Sequence, residues 1–255
     1  MTAGLVRSVS MFTLAPVRTS ADLAAGDGVR ALLWLPLVGA GLGGVAALPA
    51  VAIRHWAPHA HLLGAVLAVL LLALLTRGLH LDGLADTADG LGSRAPAERA
   101  LQIMRQSDIG PFGVLAIGLV LLADIAALDG LRGNDWAPVV VLAVAAATGR
   151  VAAVHAALRG IPTAHASGFG ALVGGGVAPA VAAVWTVVAL GAGTLAALAA
   201  DLPIGWVVGP QVVALILAGA FRWHVVRRLG GTTGDVFGAL IELANAATLI
   251  GVALV

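Results

Sequence analysis

Three aspartates stand close together in residues 77–92, at a spacing suited to metal and phosphate chemistry. Asp82, Asp86 and Asp89 are separated by four and then three residues, so on an α-helix they lie within about 60° of one another on one face. Like charges at this spacing repel each other, and a divalent cation relieves that repulsion. Carboxylate oxygens suit Mg²⁺ when phosphates complete its coordination shell. With several glycines among them that let a phosphate approach the backbone, these residues predict a site for a cation and a phosphorylated ligand.

A second polar cluster stands at the start of the last apolar segment. Asp235 and Glu242 are seven residues apart and therefore share a helix face. Glu242 lies about two turns inside an apolar helix, where an ionisable residue is costly and indicates a function. The preceding residues, which include Thr233 and Gly234, form the start of that helix, where free N–H groups favour a phosphate. The same residues at the start of the helix are also explained as a helix cap with a purely structural role. A helix cap and a phosphate site are compatible interpretations.

Two arginines and a histidine are candidates for contacts to a substrate. Arg105 follows the acidic segment, and its guanidinium could hold a phosphate in a fork. Arg150 lies about 14 residues into an apolar stretch, where its partner would be an acidic residue of a neighbouring helix or a substrate phosphate. His80, two residues before Asp82, is either a substrate contact or a polar residue at a membrane boundary.

The composition indicates that these residues are carried by a membrane protein. The 255 residues are 60% hydrophobic and only 11% charged, with a mean hydropathy of +1.02, whereas a soluble domain is about a quarter charged. Such a chain cannot cover its surface with polar groups, so its solvent is lipid. The absence of cysteine excludes disulfides and thiolate metal sites, and the net charge of +1 gives no indication of nucleic-acid binding.

The predicted fold class is an all-α, polytopic membrane helical bundle with about seven transmembrane helices. A helix needs about 20 mostly apolar residues to cross a bilayer, and the sequence forms a single integral membrane domain over residues 1–255. The predicted spans are 31–53, 60–76, 112–128, 136–158, 177–200, 204–222 and 236–255.

Arginine placement predicts the orientation of this bundle. All fourteen basic residues are arginine; apart from Arg150, eleven lie in the N-terminal segment and alternate loops, and two lie in the other loops. Because cytoplasmic loops carry the excess of positive charge, we expect a cytosolic N-terminus and an external C-terminus. Residues 1–30 are then a cytosolic or interfacial segment or a short re-entrant turn, and the loops 77–111 and 223–235 present both acidic clusters to the cytosol.

These motifs resemble those of the cobalamin synthase family, also called adenosylcobinamide-GDP ribazoletransferase. The resemblance extends over nearly the whole chain. It is most specific in His80-Leu-Asp-Gly-Leu-Ala-Asp-Thr-Ala-Asp-Gly90 and Gly231-Thr-Thr-Gly-Asp-Val-Phe-Gly-Ala-Leu-Ile-Glu242, and it includes Phe12–Val17, Pro36–Gly39 and Ile103–Arg105. The chain departs from the family pattern at Leu14, Asp108 and Asn245, where the family usually has arginine, a basic residue and a carboxylate.

The resemblance implies the last assembly step of the cobalamin nucleotide loop in the inner membrane, with Mg²⁺ as cofactor. A hydroxyl of α-ribazole, or of its 5′-phosphate, attacks adenosylcobinamide-GDP and GMP leaves. Positioning and charge neutralisation supply most of the catalysis of such a displacement. We expect one or two Mg²⁺ on Asp82, Asp86, Asp89 and Asp235, with Asp89 or Asp235 as the base. The expected substrate contacts are His80, Arg105, Arg150, Thr233, Gly234 and Glu242, with the two arginines on phosphates.

Two other functions are compatible with parts of the pattern. A membrane CDP-alcohol phosphotransferase also places carboxylates on helices after Asp-Gly, but it expects an arginine where this chain has Asp86. An ion or metabolite transporter should place its carboxylates near the middle of the bilayer on broken helices, whereas Asp82, Asp86 and Asp89 follow the end of the second predicted span. The form of ribazole that is used, the lower base that is preferred and the formation of a homo-oligomer stay open.

Overall fold

The computed structural model describes residues 2–17 and 26–255, and the regular structure of these residues is helical. Arg18, which contributes to the arginine count, lies outside the described residues. The helices that they form are α1 (Thr2–Phe12), α2 (Asp27–Ala46), α3 (Leu48–Trp56), α4 (His61–Leu75), α5 (Leu79–Gly92), α6 (Ala97–Ile103), α7 (Pro111–Asp129), α8 (Ala137–Ala156), α9 (Phe169–Val173), α10 (Pro179–Ala199), α11 (Ile204–Leu229) and α12 (Gly234–Ala253).

Seven helical units of the described chain are long and apolar enough to cross a membrane, which confirms the predicted fold class. Helices α2 and α3 form one unit of 30 residues, and a short 3-10 turn at Pro58–Ala60 extends α4. The other five units are α7, α8, α10, α11 and α12. Helix α11 continues to Leu229, seven residues beyond its predicted end, so the predicted loop 223–235 is reduced to a short connection. Within the described part of the N-terminal segment, α1 packs against α2.

Helices α8 and α12 form the centre of the bundle. In the most apolar 18-residue stretch of each helix, 83% of the residues are buried in α8 and 67% in α12. The corresponding value is 22% for α4 and for α11. Small residues let these central helices approach closely, as is usual within membranes. A Cβ atom at Gly43 of α2 would meet the backbone of α8, and one at Gly149 of α8 would meet the backbone of α12. The peripheral helices therefore form the outer surface of the bundle, and the two central helices carry residues into its interior.

Hydrogen bonds join the segments at each end of the bundle. At one end, called here the N-terminal face, the Leu14 amide donates to the Leu75 carbonyl, Arg77 donates to the Met11 carbonyl, and the Ala164 amide donates to Thr232. At the opposite face, Arg54 donates to the carbonyl of Asn134, and Asn134 donates to that of Ala199. The N-terminal face thus gathers the start of the chain, α5, the segment 157–178 and the start of α12.

Candidate functional site

A cavity of about 610 Å³ lies at the N-terminal face. It is enclosed by the end of α1, the first turns of α2, α5 and α12, the end of α8 and the segment 165–171. Six of the ten residues that the sequence analysis assigned to the site line this cavity: His80, Asp82, Arg105, Thr233, Gly234 and Asp235. The structure therefore brings together two motifs that are about 150 residues apart in the sequence.

Asp82 and Asp235 meet because α5 and α12 pack without side chains between them. A Cβ atom at Gly83 would lie 2.7 Å from the carbonyl oxygen of Asp235, and one at Gly238 would lie 3.0 Å from that of His80. The contact at Gly83 is closer than a side chain allows, and the contact at Gly238 would require its neighbours to shift. The Asp-Gly sequence of α5 thus places its carboxylate beside the start of α12.

Thr233 shapes the beginning of α12. Its Oγ accepts a hydrogen bond from the Val236 amide at 3.3 Å, as a helix cap does. The same hydroxyl lies 3.2 Å from Oδ2 of Asp235, to which it donates. Gly234 begins the helix on the cavity wall, where the helix N-terminus favours an anion.

Asp86 carries the electrostatic strain of the acidic cluster. Burial, and then the neighbouring charges of Asp235, Asp82 and Asp89, together raise the pKa of its carboxyl group to about 7. Asp86 does not line the cavity, but it lies close enough to Asp235 and Asp82 to be affected by their charges. A bound cation would relieve this repulsion.

The donor set fits Mg²⁺ in chemical type. Among residues 2–17 and 26–255, no three histidine or acidic side chains stand ready as a complete metal site. Mg²⁺ commonly takes one or two carboxylates and completes its shell with water and substrate phosphates. Asp82, Asp86 and Asp235, whose like charges raise the pKa of Asp86, suit that mode of binding.

Asp89 is turned away from the other acidic residues and toward α7. Its Oδ2 accepts a hydrogen bond from the Gly110 amide at 2.7 Å, and its Oδ1 accepts one from the Gly113 amide at 2.9 Å. The side chain is buried and does not line the cavity. A carboxylate at the start of a helix satisfies its free N–H groups and its dipole. Asp89 therefore links α5 to the start of α7 through these two hydrogen bonds.

Arg150 and Glu242 lie behind the cavity wall rather than on it. Arg150 is buried and donates from Nη1 to the Ala146 carbonyl at 3.0 Å, while its Nη2 lies 3.5 Å from Nδ1 of His80. Oε1 of Glu242 lies 3.8 Å from the same His80 nitrogen. Burial, and then the charge of Arg150, lower the pKa of His80 well below its usual value. The His80 ring is therefore neutral at physiological pH.

Several cavity residues carry no signal in the sequence analysis. His165 lines the cavity, and burial, together with the charge of Arg105, lowers the pKa of its imidazole. Ser167 and Phe169 belong to the same segment, and Phe237 lies on α12. Residues 157–178 contain no acidic cluster and no long apolar run, so only the glycines that surround His165 could have indicated an irregular, close-packed segment.

Comparisons with known proteins identify the family of this chain. Residues 4–253 match the model of the family described as cobalamin-5-phosphate synthase. Relatives named adenosylcobinamide-GDP ribazoletransferase include that of Frankia casuarinae, 42% identical over 88% of this chain and 85% of the relative. That of Klebsiella pneumoniae is 39% identical over 90% of both chains, and that of Corynebacterium efficiens is 34% identical over 98% of this chain and 90% of the relative. No solved structure matches the chain. The chain belongs to the cobalamin-5-phosphate synthase family.

Proposed function

We propose that this protein joins adenosylcobinamide-GDP to α-ribazole or α-ribazole 5′-phosphate, with release of GMP. The oxygen of a ribazole hydroxyl forms a bond to the corrinoid-linked phosphorus. The bond from that phosphorus to the bridging oxygen of GMP breaks, and the hydroxyl proton passes to a carboxylate. The observation that carries this proposal is the placement of Asp82 and Asp235 in one cavity by the two motifs that are most specific to the family.

Asp235 is the better candidate for the base. It lines the cavity beside Asp82, whereas both oxygens of Asp89, the other candidate, accept hydrogen bonds from α7. A general base must lie within hydrogen-bond reach of the proton that it removes. Asp235 meets that requirement for a ligand in the cavity, and the Thr233 hydroxyl orients it.

Mg²⁺ is the expected cofactor, and Asp82, Asp86 and Asp235 would hold it together with substrate phosphates. When bound, it neutralises charge on the diphosphate. Arg105 and the amide groups at Gly234 bind phosphate oxygens at the cavity wall. Asp89 keeps α7 in place beside the acidic cluster.

Arg150 and Glu242 act through His80 in this proposal. Neither lines the cavity, so we assign Arg150 to holding the His80 ring rather than to a phosphate. A buried cation is stable when it is paired and hydrogen-bonded, and Glu242 supplies the opposite charge. The pair thus fixes the orientation of a residue that does line the cavity.

We place the protein in the inner membrane, as the family resemblance implies, and the distribution of arginines supports a cavity that opens to the cytosol. The N-terminal face carries Arg77, Arg94 and Arg105, and α11 ends there with Arg227 and Arg228. A nucleotide-activated substrate is available in the cytosol. This orientation would give it direct access to the acidic cluster.

Product identification tests the proposal. The protein, reconstituted in liposomes, is given adenosylcobinamide-GDP, α-ribazole phosphate and Mg²⁺, and the product is analysed by mass spectrometry. We expect cobalamin phosphate from the wild type, a decrease of about 100-fold or more for Asp82→Asn, and wild-type yield for Asp135→Asn, an exposed carboxylate at the opposite face. Wild-type yield from the folded Asp82→Asn protein would refute the assigned site.

A further inference from the structure

The cavity is polar at its rim and aromatic inside. Three of the five phenylalanines of the chain line it: Phe12 from the end of α1, Phe169 from α9 and Phe237 from α12. The Phe169 ring lies edge-to-face to both others, with centroid distances of 5.2 Å to Phe12 and 5.8 Å to Phe237. Edge-to-face contacts at these distances are favourable for aromatic rings. Three separate elements thus build one aromatic wall.

The apolar part of the cavity extends into the bundle. Leu32 and Leu35 of α2, Ala153 of α8 and Ile241 of α12 line it. Ile241 is seven residues beyond Gly234, which is about 10 Å along a helix. Asp235 therefore stands where α12 begins, at the level of Phe169, and the walls farther along α12 consist of hydrocarbon side chains. A ligand that fills this space has a polar part at the rim and a flat apolar part inside.

We propose that the aromatic interior binds the base of α-ribazole, so that this nucleoside enters base first and its ribose lies beside Asp82 and Asp235. This inference rests on the proposed function and assigns a binding site to one of its two substrates. The benzimidazole of ribazole is a flat bicyclic ring with an apolar edge, which suits stacking against phenylalanines. The corrinoid, whose macrocycle is far larger, then stays outside the aromatic interior.

Guanine fits this interior poorly. Its edge carries several donors and acceptors, and polar groups that are buried without partners cost stability. The leucine, isoleucine and phenylalanine side chains of the interior offer no hydrogen-bond partners for these groups. The GDP part of the other substrate is therefore assigned to the polar rim.

His80 brings a polar side chain to the wall of this interior. Its Nδ1 lies 3.5 Å from Nη2 of Arg150, which can only donate, so Nδ1 is the acceptor and Nε2 is the donor of this ring. Nε2 is buried and has no hydrogen-bond partner among the described residues, and the His80 ring stacks on Phe12 at a centroid distance of 6.3 Å. A benzimidazole nucleoside has one free ring nitrogen, which is an acceptor.

Separate Michaelis constants for the two substrates test this assignment. In liposomes, Phe169→Ala should raise the KM for α-ribazole phosphate about 10-fold or more and leave the KM for adenosylcobinamide-GDP within about twofold. Phe169→Trp, which keeps a flat ring, should restore most of the affinity. Phe221→Ala is the matched control, because Phe221 lies in a different, lipid-side groove. An increase confined to adenosylcobinamide-GDP, or equal increases for both substrates, would overturn the assignment.

Equilibrium dialysis separates this inference from the proposed function. Radiolabelled α-ribazole phosphate is dialysed against wild-type, Phe169→Ala, Phe237→Leu and Phe221→Ala proteins in detergent, without the corrinoid substrate. Weaker binding to both variants than to the wild type and Phe221→Ala supports the aromatic subsite, whatever the turnover. Equal binding to all four proteins refutes the subsite, while product formation by the wild type would still support the proposed function.

Discussion

At the scale of single residues, the site depends on acidic side chains that repel one another. Asp82 and Asp235 line the cavity, and Asp86 stands behind them with a pKa that is raised to about 7 by burial and by the three neighbouring carboxylates. Such an arrangement is unfavourable without a cation. We interpret the raised pKa of Asp86 as the electrostatic cost of keeping a metal site ready for a phosphorylated substrate.

Competition between protons and Mg²⁺ should follow from this raised pKa. Asp86 is protonated below about pH 7, and a metal ligand must be deprotonated, so we expect the apparent Kd for Mg²⁺ to rise up to about tenfold for each pH unit below 7. The measurement is the Mg²⁺ dependence of turnover between pH 5.5 and 8.5. The apparent pKa should fall as Mg²⁺ is raised. A Mg²⁺ affinity that is the same across this range would contradict the role of Asp86.

The spacing of residues predicted only part of this site. Asp82 and Asp86 stay together as the helical spacing requires, but Asp89 bonds to the amides of Gly110 and Gly113, because the start of α7 lies nearer to it than the cavity does. The position of α7 depends on tertiary packing, which the spacing does not contain. For the same reason His165 gave no signal, since a lone histidine in a loop becomes informative only when its neighbours in space are known.

At the scale of elements, close contact between α5 and α12 positions the two carboxylates that line the cavity. Gly83 and Gly238 lie at this contact; Gly83 leaves too little space for a side chain, and a Cβ atom at Gly238 would fit tightly against His80. From the sequence, the glycines near Asp82 are expected to let a phosphate approach the backbone. The structure shows that Gly83 serves helix packing instead.

Gly83→Ala should separate α5 from α12. A Cβ atom there would meet the Asp235 backbone, and overpacking of this kind costs about 1–3 kcal/mol, so we expect lower thermal stability in detergent and a clear loss of turnover. Gly118→Ala on α7 is the control, because a Cβ atom there has no neighbour within 4 Å. If both variants behaved like the wild type, the tight contact would have no part in the site.

Asp89→Ala should act on the junction of α5 and α7 rather than on the metal. It leaves two amides of α7 without their acceptor, which costs about 1–3 kcal/mol for each buried donor. The expected result is a lower midpoint of thermal inactivation, with an unchanged apparent Kd for Mg²⁺ in the protein that remains folded. A weaker Mg²⁺ affinity at unchanged thermal stability would instead make Asp89 a metal ligand.

At the scale of the whole molecule, the number of apolar helices could be predicted from hydropathy, because each span needs a long apolar run. The residues at which the helices end could not be predicted from hydropathy. Arg222 is the predicted end of its span, but helix α11 continues through it. The Arg222 guanidinium donates to the His155 carbonyl, so its charge is accommodated within the bundle. The predicted loop 77–111 likewise contains α5 and α6, which are too short and polar to appear as spans.

Cysteine labelling can test the orientation, since the chain has no native cysteine. Ser107→Cys places an exposed thiol at the N-terminal face, and His59→Cys places one at the opposite face. With a membrane-impermeant maleimide applied to spheroplasts, we expect labelling at position 59 only, and labelling at position 107 after lysis. The reverse pattern would place the cavity outside the cytosol.

The release of GMP with and without the second substrate tests the central claim most directly. If the ribazole hydroxyl displaces GMP at the carboxylates of the cavity, protein in liposomes with Mg²⁺ should release GMP from adenosylcobinamide-GDP only when α-ribazole phosphate is present, with one GMP for each cobalamin phosphate formed. GMP release at the same rate without ribazole, or no release from folded protein with both substrates, would contradict the account.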